Sequence, residues 1–144
     1  MSVNNHQQAP SITAESIMHD RYLLTDGFVT VADGIRLLCE HNSSCLIIKK
    51  RNAEDEYGIV LPSDIAKKVL APNRAAERIN LYEIMSKPTI GIRPSMNVRY
   101  CARLFDQFGL ALAPVVDHQH NIIGVVDYPT LILRGLAPQH GICI

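Results

Sequence analysis

Apolar positions along this chain alternate between a helical rhythm and short strand-like runs, and the whole alternation occurs twice. Val31, Ile35, Leu38 and Cys39 fall at helical spacing and predict an amphipathic helix over 31–41. Thr30-Val31-Ala32-Asp33 opens it as a capping box, the Thr30 hydroxyl accepting near Asp33 and Asp33 reaching back. His41-Asn42-Ser43-Ser44 ends it. Cys45-Leu46-Ile47-Ile48 reads as a short buried strand, Lys49 to Glu56 as a polar loop, and Tyr57 to Leu61 as the antiparallel return. Residues 64–70 read as a helix with Ile65, Ala66 and Val69 on one face, stopped by Ala71-Pro72-Asn73. Phe28-Val29 is a brief strand candidate ahead of the first helix.

The second half restarts the pattern. Glu83-Ile84-Met85 echoes Ser16-Ile17-Met18, and Ile90-Gly91-Ile92 reads as a strand. Asn97 caps a predicted helix over 98–108, whose face is Val98, Cys101, Ala102, Leu104, Phe105 and Phe108, with Gly109 as its left-handed stop. Strands over 113–116 and 122–126 flank a turn at Asp117 to Asn121, and a last short helix over 130–134 ends at Gly135. The clearest echo is Gly58-Ile59-Val60-Leu61-Pro62-Ser63-Asp64 against Gly124-Val125-Val126-Asp127-Tyr128-Pro129-Thr130, each a strand end running through a Pro turn into a helix. This is an internal duplication. The segments are a disordered tail over 1–11, repeat one over 12–72, a linker over 73–80, repeat two over 81–136 and a C-terminal tail over 137–144. A half of this size has difficulty burying its own sheet and helices, so the halves are expected to pack by a pseudo-two-fold, with a small-ligand crevice between them. The fold class is α/β in the α+β sense.

Composition narrows the functions. With 47% hydrophobic and 19% charged residues the chain is globular. Fourteen basic residues balance fourteen acidic ones, which lacks the field that nonspecific nucleic-acid binding requires. No apolar run approaches a membrane span, and Met1 to Pro10 lack the charge and apolar core of a signal peptide. Cys39, Cys45, Cys101 and Cys143 form no C-x-x-C pair, so reduced thiols in the cytoplasm are expected, with the first three as small apolar residues. His118 and His120 read as exposed turn residues rather than metal ligands. Lys49-Lys50-Arg51 with Lys67-Lys68 is an anion-patch candidate, set against a solvated loop because Glu54-Asp55-Glu56 follows. Arg99, Tyr100 and Arg103 read equally as an interface or a solvated face. No Gly-rich phosphate loop, metal set or nucleophile elbow appears, which leaves an enzyme reading without support.

Ile17-Met18, Ile84-Met85-Ser86-Lys87-Pro88, the Pro114-Val115-Val116-Asp117 strand and the two Gly-apolar-apolar strand ends together resemble the CBS (cystathionine β-synthase) domain. The pair over residues 12–136 resembles a Bateman module, nearest to stand-alone bacterial CBS-pair proteins. The resemblance implies a regulatory or sensory module, often a homodimer, that binds an adenosyl ligand (AMP, ADP, ATP, NAD or S-adenosylmethionine) in the cleft between repeats. The family's nucleotide motif places Gly, two apolar residues, Thr or Ser, two variable residues and Asp or Asn in order. The acid accepts ribose hydroxyls, the hydroxyl and helix amides meet phosphate, and Gly lets the backbone approach.

By that pattern repeat one keeps Gly58 and Asp64, has Leu61 at the hydroxyl position, and offers Ser63 nearby as a substitute. The resemblance adds Lys87, Thr89 and Ile90 from the loop after the second Ile-Met element, and backbone at Cys45 and Leu46 along the base. Repeat two puts Asp127 at the hydroxyl position and Thr130 at the acid position, an arrangement that repels phosphate. At most one ligand per chain follows. Asp64 also reads as an ordinary helix-start cap, and Asp127 as a turn acid bonded to local amides. The alternative function is a dimeric interaction scaffold for an unknown partner protein that has lost nucleotide binding.

Overall fold

Hydrogen-bond chemistry at the helix starts and close packing at two glycines account for most of the architecture. The computed structural model describes residues 11–87 and 90–142. In chain order it contains α1 (Ala14–Ile17), β1 (Tyr22–Thr25), α2 (Val31–His41), β2 (Cys45–Ile48), β3 (Gly58–Val60), α3 (Pro62–Ile65), α4 (Val98–Phe108), β4 (Leu112–Val116), β5 (Ile122–Asp127) and α5 (Tyr128–Thr130). α3 widens into a π-helical turn over Ala66–Leu70, and α5 into one over Leu131–Leu136. The fold is a mixed α+β arrangement of small sheets and flanking helices.

The chain divides into two compact units, one of residues 21–90 and one that joins the N-terminal segment up to Asp20 to residues 91 onward. The sequence repeats therefore exchange their leading pieces. Ile84-Met85 stays with the strands of the first repeat, while Ile17-Met18 joins the strands of the second.

In the 21–90 unit β1 runs parallel to β2, and β2 pairs antiparallel with β3, Leu46 facing Val60 and Ile48 facing Gly58. Its core gathers Val31, Leu46, Val60, Val69, Leu81 and Ile84. The other unit holds the β4–β5 hairpin, with Ile92 added in parallel beside Val115. Ile17, Ile92, Cys101, Phe105, Val115 and Val126 fill its core.

Each Ile-Met element is fastened the same way. His19 and Val125 exchange backbone hydrogen bonds of 3.0 and 2.9 Å, and Ile59 and Ser86 exchange bonds of 3.1 and 2.9 Å. The methionine then lies across the glycine of the adjacent strand. A Cβ at Gly58 would stand 2.5 Å from Met85 Sδ, and one at Gly124 would stand 2.5 Å from Met18 Sδ. An added Cβ at either glycine would force that methionine, a side chain of the same unit, to shift.

The predicted helices over 31–41 and 98–108 form at those bounds. Thr30 Oγ1 accepts from the Asp33 amide at 3.1 Å, though Asp33 turns its carboxylate to Arg36 instead of back to the cap. Asn97 Oδ1 accepts from the Arg99 amide at 2.8 Å, and Gly109 closes the helix at φ 64°.

Four expectations are corrected. The first strand lies at Tyr22–Thr25, not at Phe28-Val29, because Asp26 accepts from the Phe28 amide and turns the chain there. Ile35 and Cys39 are exposed: α2 approaches Leu46 and Leu81 at Gly34, so its buried stripe runs along the Val31–Gly34–Leu38 side. The segment around Ile90 gives a single bridge at Ile92 rather than a strand. The last helix does not stop at Gly135, which is buried against Val98; it continues through a 3-10 turn at Ala137–His140 to Gly141 at φ 69°.

Overpacking at the interlocks is measurable. Gly124→Ala should lower unfolding free energy by about 1–3 kcal/mol, as methyl insertion into a filled core does. Gly58→Ala should cost less, because Met18 crowds position 124 with its Sδ, Cγ and Cβ within 3.0 Å, whereas at 58 only Met85 Sδ comes that close. Urea denaturation checks the ranking, and Met85→Ala in the Gly58→Ala background should give a less than additive loss.

Candidate functional site

Both strand-to-helix turns spend their acid on the helix they open. In the first copy Leu61 occupies the cap position and has no side-chain acceptor. Asp64 compensates from the third helical position: its Oδ2 accepts from the Leu61 amide at 2.8 Å. Its other oxygen lies 3.9 Å from Lys68 Nζ, one helical turn on, and Lys68 also donates to the Ile84 carbonyl at 2.9 Å. The Asp64 side chain remains 17% accessible. Ser63 is exposed, with its backbone carbonyl in the helix.

In the second copy the capping is complete. Asp127 Oδ1 accepts from the Thr130 amide at 2.9 Å, and Thr130 Oγ1 accepts from the Asp127 amide at 3.1 Å. Asp127 Oδ2 meets His19 Nε2 at 3.0 Å, and His19, Asp127 and Thr130 are all buried. Burial opposes ionisation of Asp127, but the Thr130 amide, the His19 ring and the Thr130 hydroxyl together outweigh it and hold the carboxyl below its ordinary range. The turn-acid reading of Asp127 is what the geometry supports. Sequence offered no signal for His19, whose partner is 108 positions away.

The remaining predicted site residues divide between the two ends of the sheet. Cys45 and Leu46 are fully buried in β2, and Gly58 sits opposite Ile48 beneath Met85. Lys87 gives its ammonium to Asp55 of the β2–β3 hairpin at 2.5 Å, and Asp55 Oδ2 also accepts from the Arg51 amide at 2.8 Å. The Lys87 ammonium, followed by the Arg51 amide, keeps Asp55 well below the usual carboxylate range. Ile90 is half-buried, and Thr89 lies outside the described residues. The order of the ladder explains the separation: Cys45 and Leu46 face the end of β3 that leads to Asp64, while Gly58 and Lys87 belong to the hairpin end.

The hairpin end holds a cavity of about 650 Å³. Lys49, Lys50, Arg51 and Lys87 line it with Asp26 and Asp55, and Phe28, Ile48, Tyr82 and Met85 provide its apolar wall. Phe28, a strand candidate by sequence, and Tyr82 pack edge to face at 5.5 Å. The basic run joins Lys87 here and not Lys68, which serves Asp64.

Other sequence candidates resolve simply. Among the described residues no three His, Cys, Asp or Glu side chains are grouped to hold a metal. His118 and His120 are exposed in the turn. Burial pushes the Cys101 thiol up to about 11, against a smaller opposing backbone hydrogen bond, which keeps it protonated at neutral pH. Arg103 stacks over Tyr100 at 5.3 Å. No helix among the described residues is long and apolar enough to cross a membrane.

Comparison with known proteins places this geometry. The CBS-domain family model matches residues 81–133. A hexameric CBS-CP12 protein from bloom-forming cyanobacteria is 32% identical, superposes with a TM-score of 0.83, and is covered over 73% of its length by 89% of this chain. The chain belongs to the CBS-domain family. Its CBS fold also matches the CBS domain pair of protein MJ0100, a complex with 5′-methylthioadenosine and S-adenosyl-L-methionine, at 23% identity and a TM-score of 0.75, over 90% of this chain and 99% of that one. A curated relative, protein MK0525 of Methanopyrus kandleri, is 30% identical over 94 residues; the alignment covers 65% of this chain, which spans about half (47%) of that relative.

The buried Asp127 pair sets a pH dependence for this CBS protein. A carboxyl whose pKa is depressed on folding stabilises fully above its unfolded value of about 3.9, and that contribution is lost as pH falls through the folded value. Asp127→Asn should lower unfolding free energy by about 1–3 kcal/mol at pH 7. The gap between wild type and variant should narrow below about pH 4. Denaturant titrations across pH 7 to 3 check both the loss and its direction.

Proposed function

We propose that this CBS-pair protein is a regulatory module that binds an adenosyl-containing ligand at the helix start carrying Asp64, with no more than one site per chain. The observation that carries the reading is the asymmetry between the two turns. Asp64 has one oxygen on the Leu61 amide and the other only loosely approached by Lys68, so acceptor capacity remains for a ribose diol. In the second copy Asp127 and Thr130 close on each other and on His19, and a buried carboxylate there repels phosphate. The adenosyl ligands of the MJ0100 domain pair support the ligand class. Ser63 in the same turn, with Cys45 and Leu46 on the strand facing the Asp64 end of β3, completes the proposed ligand environment, while Gly58 and Lys87 at the hairpin end stand apart from it.

The module acts without catalysis on a separate regulated protein, as a cytoplasmic homodimer. The hexameric assembly of the cyanobacterial relative supports self-association, and the thiols at Cys39 and Cys101 suit a reducing compartment.

A second reading, a dimeric interaction scaffold without a nucleotide, draws on two observations. Leu61 supplies no hydroxyl at the phosphate position, and Met85 fills the space over Gly58 that a ligand would use.

Calorimetry with AMP, ADP, ATP, NAD and S-adenosylmethionine separates the readings. Binding by one of them should add about 2.7 kcal/mol of stability at a hundredfold excess over Kd. Asp64→Asn, which keeps an acceptor for the Leu61 amide, should weaken that ligand by about 10- to 100-fold, the worth of charged hydrogen bonds. Absence of heat and of any rise in melting temperature with all five would leave the scaffold.

A further inference from the structure

We propose that the cavity at the hairpin end of the 21–90 unit is a second ligand site, which takes a small organic dianion carrying a flat ring. Its volume of about 650 Å³ lies within the range of small-molecule sites. The charge on its wall is unbalanced in a specific way. Four cations face two carboxylates, and both carboxylates are held by protein groups: Asp26 by the Phe28 amide at 2.8 Å, and Asp55 by Lys87 and the Arg51 amide. Of the cations, Lys87 is spent on Asp55. Arg51 reaches the same carboxylate only at 3.5 Å with its side chain 75% exposed, Lys50 lies 4.9 Å from the centre of the Tyr57 ring, and Lys49 has no acidic partner among the described residues. Glu54 and Glu56, which suggested a neutralised loop, are exposed and stand outside the lining. The residues that line the cavity carry an excess of two positive charges.

The apolar half of the wall accounts for the ring. The turn at Asp26 holds Phe28 68% exposed, an unusual position for a large aromatic, and Tyr82 braces it edge to face. Ile48 and Met85 continue the surface inward. A flat ring lies against Phe28 while its anionic group meets the lysines, so neither half of the ligand alone uses the whole site. The hairpin is already pinned by Asp55, which means the cations are presented without ordering a loop on binding. This site shares no side chain with the Asp64 turn.

The test uses the full chain, ¹⁵N-labelled, titrated at low ionic strength with phenyl phosphate, inorganic phosphate and phenol. Phenyl phosphate should shift the amides of Phe28 and Lys49 to Arg51 saturably, and bind about tenfold tighter than inorganic phosphate. Phe28→Ala should erase that tenfold advantage while leaving inorganic phosphate unchanged. Lys49→Ala with Lys50→Ala should weaken both anions about tenfold or more. All three residues project from the surface region, and an otherwise unchanged spectrum establishes that each variant is folded. The proposal is overturned if phenyl phosphate gives no saturable shifts at millimolar concentration, if the shifts scatter over lysines elsewhere, or if Phe28→Ala leaves its affinity intact. Asp64→Asn distinguishes the two sites. Unchanged shifts in that variant support a separate cavity site, and their loss assigns the anion to the Asp64 turn instead.

Discussion

Everything in this CBS pair hangs on a methionine laid across a glycine. In each compact unit the strand glycine (58 or 124) lacks the one carbon that would collide with the methionine sulfur, and backbone hydrogen bonds beside it tie the Ile-Met segment to the strand. The isoleucine next to the methionine then drops into the core, Ile84 at 1% exposure and Ile17 likewise. Close packing of this kind is unforgiving of one added methyl. The contact recurs in both units, each leading segment lying on the glycine of the unit it joins.

The same constraint shapes the sites. Once methionine covers the glycine, the chemistry left at each turn belongs to the cap, and the two copies solve the capping problem differently. Repeat one lacks a cap side chain at Leu61 and borrows Asp64, which leaves that carboxylate partly exposed beside Lys68. Repeat two places the acid at the cap itself, where Thr130 and His19 absorb its capacity inside the protein. The acid stands at the third helical position in one copy and at the cap in the other, which separates a partly exposed acid from a buried one. The hairpin cavity rests on a third use of a carboxylate, Asp55, which pins its loop and leaves the neighbouring cations facing outward.

Much of the fold was legible because local signals agreed. Thr30 and Asn97 as caps, the polar run from His41 and the left-handed stop at Gly109 fixed two helices at their observed bounds, although Ile35, Cys39, Ala102 and Phe108 of the predicted apolar faces are exposed. The strand over 45–48 and the one predicted over 113–116, observed at Leu112–Val116, followed from short apolar runs. Legibility failed where partners are distant in sequence. Nothing near Ile35 announces that Gly34 would approach Leu46 and Leu81 and rotate the helix away from it. Nothing near Lys87 announces Asp55, 32 positions earlier, which takes its ammonium. Phe28 and Tyr82 were invisible as a pair for the same reason. Of the candidate site, the acid at Asp64 and its helix start could be read from sequence; its i+4 partner Lys68 could have been, from spacing alone.

Amide hydrogen exchange on the intact chain tests the interlock most directly. If the methionine–glycine contact and its backbone bridges complete each unit, the amides of His19, Val125, Ile59 and Ser86 will exchange with the slow set formed by the central strands, at free energies near that of global unfolding. Exchange of His19 and Ser86 at loop-like rates, while Val60 and Val126 stay protected, would contradict it.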